Sequence, residues 1–357
     1  MEKNILDKIT GLRRKLYENA EISGQEKKTK KILEDFLRDH TSMELLPCGR
    51  GFYAAHREEG KTKPSICLRA DYDALALPEG GAAHLCGHDG HSAALCGAAL
   101  MLEGQKVGRD VFFLFQPEEE TGSGAPGCVE IFDKEEIEEI YGGHNIPGRP
   151  LGQVSTKPGT LSCASLGLTL TFLGKAAHAA TPENGISPAT AVGRLLCSLP
   201  EMARPEDYEG LILATVIGVQ MGEKAFGAAA ADAEVWLTLR GEHDRDLERL
   251  YEKVCDMSKD LAEEFGLKLE TECQDVFPAS ENDEACARKV LEIGEGVEMP
   301  EAMRWSEDFG HYLKRCRGAY FMIGAGEEQT PLHGEGYEYP DALLEPTAEL
   351  FWKLIMS

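Results

Sequence analysis

Leu166-Gly167-Leu168-Thr169-Leu170-Thr171-Phe172 alternates apolar residues with small or polar ones without a break. A period of two marks a strand with one face buried and the other toward water. The sequence before it reads differently. Ser65–Leu68, Val111–Phe115 and Ile140–Gly142 are short continuous apolar runs, and helical stretches such as Ala93–Leu102 lie between them. Continuous runs of this kind suit strands covered on both faces. Further upstream, Leu6, Ile9, Leu12 and Leu16, then Ile32, Phe36 and Leu37, predict two helices separated by a turn over Asn19–Gly24. After Phe172 the pattern predicts a helix over Pro188–Ala203 and strands over Leu211–Met221 and Ala231–Arg240. An amphipathic helix over His243–Phe265 and a strand over Leu267–Phe277 follow. The order β-α-β-β-α-β is that of a ferredoxin-like unit. Beyond Glu281 the earlier style resumes, with a buried strand at Ala319–Gly324 and a closing helix over Asp341–Met356. The expected fold class is therefore α/β: a catalytic domain with a mostly parallel or mixed sheet flanked by helices, interrupted by a ferredoxin-like α+β insert. The expected boundaries are 1–160 plus 277–357 for the discontinuous domain and 161–276 for the insert.

The chain has 357 residues, 42% hydrophobic and 28% charged, which is ample for a sizeable core. Asp and Glu total 62 against 37 Lys and Arg, a net charge of −25. So acidic a surface repels phosphate backbones and anionic lipid, which argues against nucleic-acid and membrane partners. No apolar run reaches the roughly 18–20 residues a membrane span needs. The segment Met1–Arg14 is polar and mixed in charge, without a signal-like apolar core. The 11 cysteines are odd in number and scattered, as reduced thiols are. A cytoplasmic location is expected.

Chemistry concentrates in His84-Leu85-Cys86-Gly87-His88-Asp89-Gly90-His91. Thiolate, imidazole and carboxylate are the protein ligands of zinc and related metals. Cys86 and His88, separated by one glycine, can converge on one ion. Asp89 and His91 can fix ring orientation from behind. A competing reading makes Cys86 a nucleophile served by a histidine base, but the motif holds more imidazoles than that requires. Further candidates follow apolar runs. They are Asp71 and Asp73 in Arg69-Ala70-Asp71-Tyr72-Asp73, Glu118–Glu120 after Phe115-Gln116-Pro117, His144 in Gly142–Pro147, and His333 in Pro331–Gly334. In an α/β sheet the carboxyl ends of strands are where sites form. Adjacent glutamates can divide labour, one coordinating metal and the other moving a proton. The insert carries His178, in Gly174–Pro182.

Taken together, these motifs resemble the two-metal aminoacylase/carboxypeptidase family. The likeness is to its amidohydrolase branch of hippurate hydrolases, N-acyl-amino-acid hydrolases and auxin-conjugate hydrolases. The similarity runs along nearly the whole chain and in order. It begins with Glu21 and Glu26 in Arg14–Glu26 and passes through Arg69–Leu75, Cys86–His91, Gln116–Glu120 and Gly174–Pro182. It ends at Ser306-Glu307-Asp308-Phe309 and Leu332-His333. The resemblance implies that Cys86, His88, Glu120, His144 and His333 ligate two divalent ions. Zinc or manganese come first for these ligands, with cobalt and nickel also acceptable. It implies that Glu119 is the general base for a metal-activated water, and that Asp73, with Asp71 beside it, orients a ligating imidazole or tunes the base. It further implies that His178 stabilises the tetrahedral oxyanion. The implied reaction is hydrolysis of the amide bond of a small N-acyl amino acid or dipeptide-like substrate. The insert is implied to be a lid and the surface of a homodimer.

Three departures stand out. Ala225–Ala230 replaces an Asn-Ile-Pro stretch of the branch, so Gly227 offers no side-chain donor there. Tyr17 and Ala20 stand where His and Pro are common. The Asp73–Cys86 connection is short. The alternative is a non-catalytic protein that keeps the peptidase fold and binds a metal or small molecule. A purely structural zinc domain would need a closed four-ligand set on short spacings.

Overall fold

Burial on both faces explains the continuous apolar runs. In the computed structural model, which describes residues 1–357, Val111–Gln116, Ile66–Asp71, Glu139–Ile146 and Arg317–Gly324 lie side by side and parallel. They form the centre of an eight-stranded sheet. Each of them is buried at nearly every position. The antiparallel hairpin Glu44–Cys48/Gly51–His56 extends one edge. Val154–Thr156, antiparallel to Arg317–Gly324, and Val297–Glu298 extend the other. The sheet is therefore mixed.

The helix His88–Leu102 packs against Lys3–Tyr17 and Leu344–Met356, and all of its residues except Met101 are buried. Its small residues permit this. A Cβ on Gly97 would come within 3.0 Å of both Ala348 and Ile9. The helix begins at His88, five residues earlier than its apolar run at Ala93 suggests, because its first turn carries polar residues, among them His88 and His91, which pair with Asp73 and Asp71.

The chain divides into two compact units. The first comprises Met1–Leu161, Ser280–Ala302 and Glu307–Ser357, and the second Ser162–Ala279 with Met303–Ser306. The second unit has a four-stranded antiparallel sheet in the order Ile212–Met221, Asp232–Gly241, Ala164–Leu173, Lys268–Phe277. Leu166, Leu168, Leu170 and Phe172 turn toward the helices Ala189–Met202 and Asp244–Phe265 and form that unit's core. This is the ferredoxin-like arrangement, with the outer strand Ile212–Met221 mostly exposed. No helix is long and apolar enough to cross a membrane.

Candidate metal centre

The site of the first unit gathers at the carboxyl ends of its parallel strands, as expected for such sheets. The strand Ile66–Asp71 delivers Asp71 and then Asp73. Val111–Gln116 leads into Glu119 and Glu120, and Glu139–Ile146 carries His144 near its end. Cys86 and His88 come from the turn that opens the buried helix. Gly87, the N-cap, has φ +94°, and a Cβ there would lie 2.4 Å from Asn145 Oδ1. A Cβ on Gly90 would lie 2.2 Å from the Tyr339 ring. Both glycines are thus demanded by backbone geometry and close approach, and His88 between them faces the site.

Cys86, His88 and His144 present ligand atoms within 4.8 Å of one another. So do Cys86, Glu120 and His333, and so do His88, Glu119 and Glu120. Cys86 Sγ is 3.3 Å from His144 Nε2, and His333 Nε2 is 3.7 Å from Glu120 Oε2. His88 Nε2 lies 3.9 Å from Glu120 Oε1, and both atoms are buried without a hydrogen-bond partner. Buried polar atoms are almost always paired, so two orphans aimed at each other across a shared space suit a cation between them.

The supporting contacts fix the rings. His88 Nδ1 is 2.9 Å from Asp73 Oδ1, which turns Nε2 toward the centre. His144 Nδ1 is 2.7 Å from the Asn145 carbonyl. His91 has both nitrogens engaged, Nδ1 with Asp71 Oδ1 at 2.6 Å and Nε2 with Asn145 Oδ1 at 2.5 Å. Asn145 in turn donates to the Tyr337 hydroxyl. Asp89 points elsewhere. It accepts from Arg13 Nη1 at 3.2 Å, and the carboxylates in contact with the His88 and His91 rings are Asp73 and Asp71. His178 belongs to the second unit, where Ala177–His178 pairs with Ala228–Ala229. It is exposed there, and its Nδ1 accepts from the Ala180 N–H.

Two residues that sequence reasoning left without a role also sit here. Glu307 is 4% exposed, with Oε1 at 3.9 Å from His144 Nε2 and Oε2 accepting from the Tyr320 hydroxyl. Asp308 accepts from Arg69, from the Gln116 amide and from the Ala125 N–H. Arg69 is itself buried and also pairs with Asp71. Only their match to a motif hinted at them.

The electrostatics are those of crowded carboxylates around one buried guanidinium. Burial, then Glu307, Asp308 and Glu120, push Glu119 well above the usual carboxylate range. Burial raises Glu120 to about 7 despite His88. Glu307 and Asp308 also reach about 7, chiefly by burial. Burial opposes charge on His88, but Asp71 and Asp73 outweigh it and hold the ring at about 10. The Cys86 thiol is pushed up by burial and then by Glu120 and Glu119. Cationic charge at this point would relieve every one of these carboxyls. Borderline-soft donors beside hard carboxylates suit a divalent ion.

A sequence model of the peptidase family M20/M25/M40 matches residues 67–357. The chain belongs to this family. Membership makes it a metal-dependent hydrolase. Among relatives, the N-acetylcysteine deacetylase of Bacillus subtilis is 27% identical, covering 97% of this chain and 96% of that protein. The hippurate hydrolase of Campylobacter jejuni is 24% identical over 97% and 95%. A solved Bacillus subtilis structure, described as a dinuclear metal-binding peptidase of the M20 family, superposes with a TM-score of 0.83. It is 24% identical and covers 99% of this chain and 98% of that one. That likeness establishes the shared M20 fold.

Proposed function

We propose that this protein hydrolyses the amide bond of small N-acyl amino acids or dipeptide-like molecules. Two divalent ions would be held by Cys86, His88, Glu120, His144 and His333. The observation that carries the reading is the unpaired buried couple His88 Nε2 and Glu120 Oε1, ringed by the other three donors with Glu119 beside them. The curated relatives' names point to the same substrate class. Bound there, the ions would polarise the amide carbonyl and make a water acidic near neutral pH.

The chain's own residues do the rest. Glu119, whose Oε2 is 4.0 Å from His88 Nε2, is the group that takes a proton from the attacking water and returns it to the departing amine nitrogen. Asp73 keeps the His88 Nδ1–H engaged and accepts the Glu120 N–H at 3.0 Å, so one carboxylate orients two ligands. Asp71 and Asn145 hold His91 as packing behind the ligands. His178 would donate to the oxyanion of the tetrahedral intermediate.

Cys86 serves better as a ligand than as a nucleophile. Burial and neighbouring carboxylates disfavour its thiolate, and only a cation at the same point reverses that. Zinc suits the thiolate, while manganese, cobalt or nickel suit the remaining donors. We further read the second unit as lid and homodimer surface. The outer strand exposes Val216, Ile217 and Val219 at 44%, 62% and 40%, an edge that soluble chains normally cover. A monomer in sedimentation would contradict that part. All eleven cysteines are free, which supports a reducing, cytoplasmic compartment. The deciding test is metal analysis joined to a screen of N-acyl amino acids and dipeptides on metal-loaded protein. Bound metal with turnover supports the proposal, and bound metal with no amide cleaved overturns it.

A further inference from the structure

Glu26 immediately precedes the helix Lys27–His40, remote in sequence from the five proposed ligands and from Glu119, yet only 4% of it is exposed. Its Oε1 accepts the Gly24 N–H at 2.8 Å and the Glu118 N–H at 3.1 Å. Glu118 immediately precedes the Glu119-Glu120 pair and has φ +55°, a left-handed conformation that a glutamate adopts only when its surroundings impose it. The surroundings are a closed ring. Arg50 donates to the Gly24 carbonyl and to Glu118 Oε1, while Glu26 accepts from the N–H groups of the same two residues. Downstream, the Glu118 carbonyl accepts from the N–H groups of Ser123 and Gly124 at 3.2 and 3.1 Å. Asp73 takes the Glu120 N–H. The dipeptide Glu119-Glu120 is therefore gripped on both sides, by Glu26 through Glu118 and by Asp73 at Glu120.

We propose that Glu26 is a positioning residue. Its carboxylate locks the left-handed Glu118 peptide, and that lock aims the Glu119 and Glu120 side chains at one centre. The inference rests on the proposed hydrolytic role of Glu119 and Glu120. The requirement is for an acceptor oxygen, not for a charge, so Glu26→Gln keeps the lock and Glu26→Ala removes it. The need also falls when residue 118 can adopt positive φ without strain.

The experiment compares wild type, Glu26→Ala, Glu26→Gln, Glu118→Gly and the Glu26→Ala/Glu118→Gly double variant. It reads amide hydrogen exchange, Zn²⁺ affinity and turnover of N-acetyl-L-cysteine. For Glu26→Ala we expect at least tenfold faster exchange across residues 117–124, with the helix His88–Leu102 unchanged. Zn²⁺ affinity should weaken at least tenfold, and kcat should fall at least tenfold with KM within twofold. Glu26→Gln should stay within threefold of wild type in all three. In the Glu118→Gly background the Glu26→Ala loss should shrink below threefold. Unchanged exchange over 117–124 in Glu26→Ala overturns the proposal, as does a Glu26→Gln variant equally damaged. If the wild type cleaves no amide, the hydrolytic reading fails. Exchange and Zn²⁺ affinity still decide whether Glu26 holds the loop.

Discussion

Asp73 and His88 are joined by a 2.9 Å contact between Oδ1 and Nδ1, wholly buried, and the second Asp73 oxygen accepts the Glu120 N–H. One side chain thereby sets the direction of two proposed ligands. Asp73→Asn can preserve only part of this, because an amide offers one acceptor where the carboxylate offers two. Loss of such a supporting contact typically costs about 10–100-fold in metal affinity. We expect a loss in that range for Zn²⁺, read by chelator competition, with an unchanged circular dichroism spectrum. Wild-type affinity would remove Asp73 from the support of the site.

The metal-free chain should lose stability as pH rises. Glu120 and Glu307 move from an unfolded value of 4.5 to about 7, and Asp308 from 3.8 to about 7. Between those values the folded state holds protons that the unfolded state has released, so stability falls with increasing pH. His88, raised from 6.5 to about 10, extends the same trend upward. Thermal melts of chelator-treated protein from pH 5 to pH 8 should therefore show a declining Tm. Added Zn²⁺ or Mn²⁺ should flatten that decline, because cations replace the protons. A metal-free Tm that rises over this range would contradict the charge balance described.

Gly90 admits no side chain, since a Cβ would meet the Tyr339 ring at 2.2 Å. Both partners are buried in the first unit's core, so neither yields cheaply. Overpacking of this kind costs about 3 kcal/mol. Urea unfolding of Gly90→Ala should show that loss. A change below about 0.5 kcal/mol would mean that the helix start relaxes freely, which is the scale of an ordinary surface substitution.

Much of the fold was legible because burial leaves periodic traces. Leu166–Phe172 alternates since one sheet face meets two helices, and Val111–Phe115 is continuous since both faces are covered. The hairpin Glu44–Cys48/Gly51–His56 left no such trace. Its outer strand is half exposed and carries Pro47, and edge strands need no alternation. In the site, Cys86, His88 and His91 announced themselves by density of donors. Glu307, Asn145 and Tyr337 did not, because their neighbours are assembled by tertiary contacts from residues 54 to 192 positions away. The partner of Asp89 was hidden for a related reason. Helix direction turns Asp89 toward Arg13, and adjacency in sequence does not reveal which way a helical side chain faces.

His178 is exposed in the second unit, and its backbone register sets it opposite Ala228, within the stretch that departs from the branch pattern. If it stabilises the oxyanion, His178→Ala should lower kcat by about 10²–10³ with KM little changed. Steady-state kinetics on metal-loaded protein check this. An unchanged kcat would exclude His178 from the reaction.

The central assignment is Glu119 as the proton carrier beside a metal centre that it does not itself build. Glu119→Gln keeps the shape and removes the base. Turnover of the best amide substrate, measured on protein whose bound metal is quantified in the same sample, tests this most directly. We expect kcat to fall by about 10²–10⁴ while the metal content stays at two ions per chain, as in the proposed wild type. Turnover near wild type at that metal content would contradict the assignment.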